Sequence, residues 1–156
     1  MPTFERSIEV PASRDALFWW MQDYARRLEW DTFLTEARLI DAERAAVGVR
    51  AWCVDRAGRG METEYVSFRP PERVAVRMTK GPWMFRSFAG SWAYQAIDAE
   101  RTRVVFRYHV EARPRLGWLT DAILGRVFAR EMAERLETLR SFAERGLVPP
   151  RAPDAP

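Results

Sequence analysis

The chain is poor in the groups most often used for metal binding and nucleophilic chemistry. In 156 residues there is one cysteine, Cys53, and one histidine, His109. A lone thiol excludes an internal disulfide, and one thiol with one imidazole leaves almost no material for a zinc set or a histidine-based triad. Cys53 falls in a strand pattern, where a small buried hydrophobe is the plain reading. Asparagine is missing and Lys80 is the only lysine, so the 25 basic side chains are almost all arginine. They are interleaved with 22 acidic ones, as across residues 56–62, and the net charge is only +3. Tracking a phosphate backbone needs a contiguous basic patch, and none is evident, so no nucleic-acid partner is expected. No apolar run approaches 18 residues, and residues 1–6 lack the apolar region of a signal peptide. A cytoplasmic protein without stable membrane insertion is the expectation, working without metal or cofactor.

Large rings are present in quantity: 7 Trp, 9 Phe and 4 Tyr in a chain that is 47% hydrophobic and 30% charged. They either fill an ordinary core or line a cavity for a ring-bearing ligand. The length fits one domain, without repeats or an internal linker.

Periodicity orders the elements. Phe4, Arg6, Ile8 and Val10 alternate with polar neighbours, which predicts a half-buried strand stopped by Pro11. Ser13 is a plausible N-cap for a helix over residues 13–28, with Leu17, Trp20, Met21, Tyr24 and Leu28 on its apolar stripe. Strands are then expected over residues 36–41, 47–55, 61–69 and 73–79, with two more carrying Phe88 to Tyr94 and Val104 to Val110. Gly58, Gly60, the Pro70-Pro71 pair and Gly81-Pro82 mark the turns. A closing helix over residues 116–144 presents Leu124, Phe128, Met132, Leu136, Leu139 and Ala143 on one stripe, and Gly125 weakens it enough to favour a bend. Residues 1–145 form the domain, and residues 146–156, with four prolines, are expected to be a disordered tail.

Tyr65, Ser67 and Arg69 are two residues apart on one strand, so in a regular strand they share a face. Turned inward, they would set a guanidinium and two hydroxyls at a pocket edge, a trio suited to carbonyl or enolate oxygens. Turned outward, Arg69 pairs with a surface carboxylate. Met78, Phe88, Trp92, Tyr94, Phe106 and Tyr108 lie on faces able to line a cavity, with Phe128 on the closing helix opposite. Trp30, past the first helix, either gates a mouth or caps the core. Trp83 and Met84 form a lip or a dimer contact, and His109 falls on the solvent face.

The run Ile8-Glu9-Val10-Pro11-Ala12-Ser13, then Asp23 and Trp30, resembles the START-like helix-grip (SRPBCC) superfamily when followed by the stretch Tyr65 to Val74, Gly81-Pro82, Ser91 to Tyr94 and Thr102 to Phe106. The branch it resembles is that of polyketide cyclases/dehydrases and lipid-transport proteins, over residues 4–145. The middle stretch is most similar to tetracenomycin-type aromatase/cyclases, which carry an aromatic, a Ser and an Arg where Tyr65, Ser67 and Arg69 stand, and a Trp matching Trp92. The resemblance implies an α+β fold, with a curved antiparallel sheet of about six or seven strands around a long C-terminal helix. It also implies Arg69 as the group holding an enolate, with Tyr65 or Tyr108 as proton donor in a cofactor-independent step. The closing helix has no His, so proton-relay roles there are not carried over. The expected function is binding of a polyketide-, lipid- or isoprenoid-like molecule by a monomer or homodimer, with cyclase/dehydratase chemistry as an extension. The alternative is a protein-interaction module of the chaperone co-activator or ribosome-associated type.

Overall fold

The alternation of the first ten residues becomes strand β1 (Thr3–Val10). Next come helices α1 (Arg14–Gln22) and α2 (Arg27–Trp30), then strands β2 (Leu34–Ile40), β3 (Arg50–Asp55), β4 (Gly60–Arg69), β5 (Arg73–Lys80), β6 (Phe85–Ala96) and β7 (Thr102–Ala112). A single 3-10 turn, Pro114–Leu116, leads into helix α3 (Gly117–Glu144). The computed structural model describes residues 3–150, with the backbone alone described over 116–121. All seven strands form one antiparallel sheet in the order β1-β7-β6-β5-β4-β3-β2. The α1–α2 segment carries the chain from one edge strand to the other, and α3 returns across the same face. This is the α+β architecture expected, at the upper end of the strand count.

Helix α3 seats on the sheet through rings. Phe128 lies 5.5 Å from Phe4, 6.0 Å from Phe85 and 5.6 Å from Tyr108. Gly125 has a packing reason: a Cβ there would sit 3.2 Å from the Phe4 ring, so glycine lets the helix approach β1. Met132, Leu136, Leu139 and Ala143 are buried in the core with Val10, Leu17, Phe18 and Met21.

Three expectations change. The helix over residues 13–28 is two helices. Ser13 does cap α1, its hydroxyl accepting from the Ala16 amide, but the chain leaves helical geometry at Asp23, whose carboxylate accepts from the Ala25 amide at 3.1 Å. An aspartate satisfying the backbone two residues on competes with helix continuation. In β4 the pairing to β5 shifts register between Tyr65 and Ser67, a bulge that slips the inward–outward alternation by one residue. At the C-terminus, Gly146 takes a left-handed conformation, Leu147 donates its amide to the Phe142 carbonyl, and Val148 still packs against the core. The packed chain thus runs past the expected boundary at 145, and residues 151–156 of the expected tail lie outside those described.

Candidate functional site

Sheet and α3 do not seal against each other. Between them lies a cavity of about 170 Å³, slightly larger than the roughly 150 Å³ of an engineered apolar cavity that holds benzene. One ring with a few further atoms fits without rearrangement. The gap follows from two adjacent stripes on α3. Phe128, Met132, Leu136 and Leu139 face the core, while Leu124, Val127, Phe128, Glu131 and Arg135 face the cavity, three or four residues apart. On β6 the inward positions run Phe88, Gly90, Trp92, and the missing side chain at Gly90 leaves the floor low beside the Tyr108 ring. Phe85, Phe106, Val74, Val76, Met61 and Phe33 supply most of the remaining apolar wall.

The polar groups gather at two ends. At the mouth, Arg59 of the β3–β4 turn is exposed, and its guanidinium reaches Asp55 at 2.7 Å and Glu131 of α3 at 3.7 Å. Burial raises the Glu131 carboxyl above its ordinary range, although Arg59 pulls the other way. A second link across the same gap joins Arg56 to Glu134 at 2.7 Å.

At the inner end sits a buried charge cluster. Asp31, which follows α2 directly, has no exposed surface. Its Oδ1 accepts from Arg135 Nε at 3.0 Å, and its Oδ2 accepts from Arg135 Nη2 at 2.6 Å and Arg27 Nε at 3.0 Å. Arg135 also donates to the Tyr108 hydroxyl at 2.6 Å. The faces of Phe33, Phe106 and Trp92 surround the Arg135 guanidinium at 5.0 to 5.8 Å, and Trp30 lies 4.8 Å beneath Arg27. Burial works against every charge here, but the fork of donors outweighs it: Asp31 titrates below its ordinary value and both arginines above theirs.

Beside this cluster runs a neutral network. Tyr65 donates to Gln22 Oε1 at 2.8 Å and lies 3.3 Å from the Tyr24 hydroxyl, and Gln22 Nε2 donates to the Tyr94 hydroxyl at 3.1 Å. Burial is the leading cause raising all four phenols: Tyr108 is pushed up to about 12, Tyr65 and Tyr94 stay protonated well past their usual range, and Tyr24 is raised as well. The chain has no other tyrosine. Titration of the folded protein at 295 nm is therefore expected to show no phenolate step near pH 10, only a late rise accompanying alkaline unfolding. A step centred near 10 would mean that at least one of these hydroxyls reaches water.

The structure brings together Tyr65, Phe88, Trp92, Phe106, Tyr108 and Phe128 as cavity wall. Others fall elsewhere. Arg69 is exposed at the end of β4, opposite Arg73, because the bulge turns Phe68 inward in its phase: Phe68 packs on Phe18 at 5.5 Å and on Tyr65 at 5.8 Å. Ser67 faces away for the same reason, paired with Ala75. Arg69 thus drops out as the enolate-holding group. Trp30 caps the core, fully buried and edge-on to Trp92 at 6.0 Å. Tyr94 is buried behind the wall, and Met78 packs at the edge of the core beside Gly81. Met84 packs against the core while Trp83 is 69% exposed at the β5–β6 turn. His109 is half-buried on the outer face, 3.0 Å from the Thr3 hydroxyl. Cys53 lines the cavity as a half-buried thiol that burial pushes up, away from thiolate reactivity.

Sequence reasoning passed over Gln22, Arg27, Asp31 and Arg135. A signal existed for Arg135, which falls on the apolar stripe between Met132 and Leu139, where a charge has to be compensated. Asp31 has one partner four residues back, Arg27, but nothing local shows that the pair is buried, because the second partner, Arg135, lies 104 residues away.

Solved structures share the fold across nearly the whole chain. The aromatase/cyclase Zhui from Streptomyces sp. R1128 superposes with a TM-score of 0.76 at 19% identity, covering 98% of both chains. A START superfamily protein from Mycobacterium smegmatis gives 0.74 at 12%, over 92% of this chain and 97% of that one. The di-domain ARO/CYC BexL from the BE-7585A biosynthetic pathway gives 0.78 at 15%, over 96% of this chain and 48% of that one. At such identities the likeness carries the fold alone. No curated protein matches the sequence. The family model described as polyketide cyclase / dehydrase and lipid transport matches residues 1–144, and the chain belongs to that family. No helix among the described residues is long and apolar enough to cross a membrane.

Proposed function

We propose that this chain, as a member of the polyketide cyclase/dehydrase and lipid transport family, holds a hydrophobic, ring-bearing small molecule in the cavity between the sheet and α3. The observation that carries this is the division of the cavity: aromatic walls along its length and hydrogen-bond donors converging at its closed end. Apolar walls supply affinity, and a few fixed polar groups supply orientation. An interaction module would call for a collapsed interior with its apolar surface turned outward, and the open cavity weighs against it.

Cyclase or dehydratase chemistry at this site would rest on Tyr108 and Arg135, not on Arg69. The Tyr108 oxygen accepts from Arg135, which leaves its own proton available to a ligand oxygen. Arg135 favours negative charge developing on that oxygen. The likeness to Zhui, an aromatase/cyclase, supports keeping this chemistry in view.

Native mass spectrometry of protein purified from its own host tests the binding function. A co-purifying small molecule bearing a ring is the expected result. A ligand-free protein whose tryptophan fluorescence also ignores a panel of one- and two-ring compounds would overturn it.

A further inference from the structure

We propose that the polar end of the ligand is an anion, a carboxylate or a phenolate- or enolate-type oxygen, seated on Arg135 and Tyr108 with Arg27 behind. This rests on the cavity-binding function above and narrows it.

The charge count at the closed end of the cavity points there. Two buried guanidiniums share the single carboxylate of Asp31. The side chains facing them from the other elements, Gln22, Tyr24, Tyr65 and Tyr108, are neutral, since burial keeps the phenols protonated. At the mouth the count is reversed, with the two carboxylates of Asp55 and Glu131 on the one guanidinium of Arg59, and Glu131 also feels the charge of Arg135. The cavity is therefore polarised, with one positive charge in excess at the inner end, walled by Phe33, Phe106 and Trp92, and one negative charge in excess at the mouth. An anionic guest seated at the inner end meets the positive excess directly, where aromatic faces keep water from the guanidinium.

The donors are available as well. A guanidinium has five N–H groups. Arg135 directs Nε and one N–H of Nη2 at Asp31 and one N–H of Nη1 at Tyr108. Two further N–H groups remain on a side chain that lines the cavity. Arg27 uses Nε on Asp31 and Nη1 on the Met21 carbonyl, and it too lines the cavity. An oxyanion at the closed end can accept from Arg135 and from the Tyr108 hydroxyl together, with its ring lying between Phe88, Phe106 and Phe128. The cavity volume limits that part to about one ring.

The test compares matched probes by titration calorimetry at pH 7.5, with benzoate against benzamide and toluene as the purely apolar guest. Benzoate is expected to bind about tenfold or more tighter than benzamide, because hydrogen bonds to an ionised acceptor are roughly twice as strong as neutral ones. Arg135→Gln should abolish that preference while leaving toluene binding in place. Since that variant opens a buried cluster and can fail to fold, Tyr108→Phe, which keeps both ion pairs, provides a second readout: benzoate weakens about fivefold and toluene is unchanged. Equal affinity for benzoate and benzamide, or tighter benzamide binding, overturns the anion assignment while the cavity function stands. Failure of all three probes overturns the anion assignment, and a protein that is also ligand-free by native mass spectrometry and ignores two-ring compounds overturns the cavity function with it.

Discussion

Asp31→Asn is expected to lower the unfolding free energy by about 3 to 5 kcal/mol, the usual consequence of removing one partner from a buried ion pair. The amide keeps the shape but not the charge, so Arg27 and Arg135 are left facing each other across a site with no exposed surface. Urea unfolding would measure the loss directly, and thermal unfolding should shift by roughly 10 °C in a chain of this length. A loss under about 1 kcal/mol would show that the two guanidiniums are compensated by something other than Asp31. The pH dependence has a definite sign. Burial raises the Asp31 carboxyl, but Arg135 and Arg27 together bring it below its unfolded value, near 3.9. Its contribution is therefore complete above about pH 4 and disappears as the pH falls through the depressed folded value. Wild type should lose stability more steeply than Asp31→Asn in that acidic range, and the two curves should converge at its lower end.

Gly90→Leu is expected to reduce affinity for any ring ligand by about a hundredfold or more without unfolding the protein. Gly90 occupies the inward phase of β6 between Phe88 and Trp92, opposite Tyr108 on β7. A Cβ there would stand 3.5 Å from the Tyr108 ring, an ordinary contact, so the remaining carbons extend into the cavity. Their bulk takes up a large part of about 170 Å³, and displacing a guest from a close-packed site has no cheap alternative. Thermal stability should hold or rise, as is common when a void is filled. Retained affinity would place the guest elsewhere in the molecule.

The fold was largely legible because alternation is robust. Arg73 to Lys80 and Thr102 to Ala112 follow the period-two pattern closely, and the α3 stripe from Phe128 to Ala143 is buried as spaced. The cavity wall was legible where it followed the same periodicity, at Tyr65, Phe88, Trp92, Phe106 and Tyr108 on the strands and Phe128 on α3. Arg69 failed because periodicity assumes an unbroken ladder, and one bulge after Tyr65 is enough to reverse every later position in β4. Asp31 and Arg135 failed for a different reason. Each reads locally as an unremarkable charged residue in a chain that is 30% charged, and only tertiary contact makes them partners. The break at Asp23, which puts Arg27 at the start of a short helix and Asp31 just past its end, depends on a side-chain bond that the apolar stripe does not record.

The stripe on α3 recurs every three or four residues, so greasy contacts alone would tolerate the helix sliding one turn along the sheet. A slide of that size, about 5.4 Å, would carry the Arg135 fork away from both oxygens of Asp31 and from the Tyr108 hydroxyl at once. The single buried fork thereby serves as an indexing pin. It discriminates against neighbouring seatings of the longest helix and so fixes which of its side chains overlook the hollow.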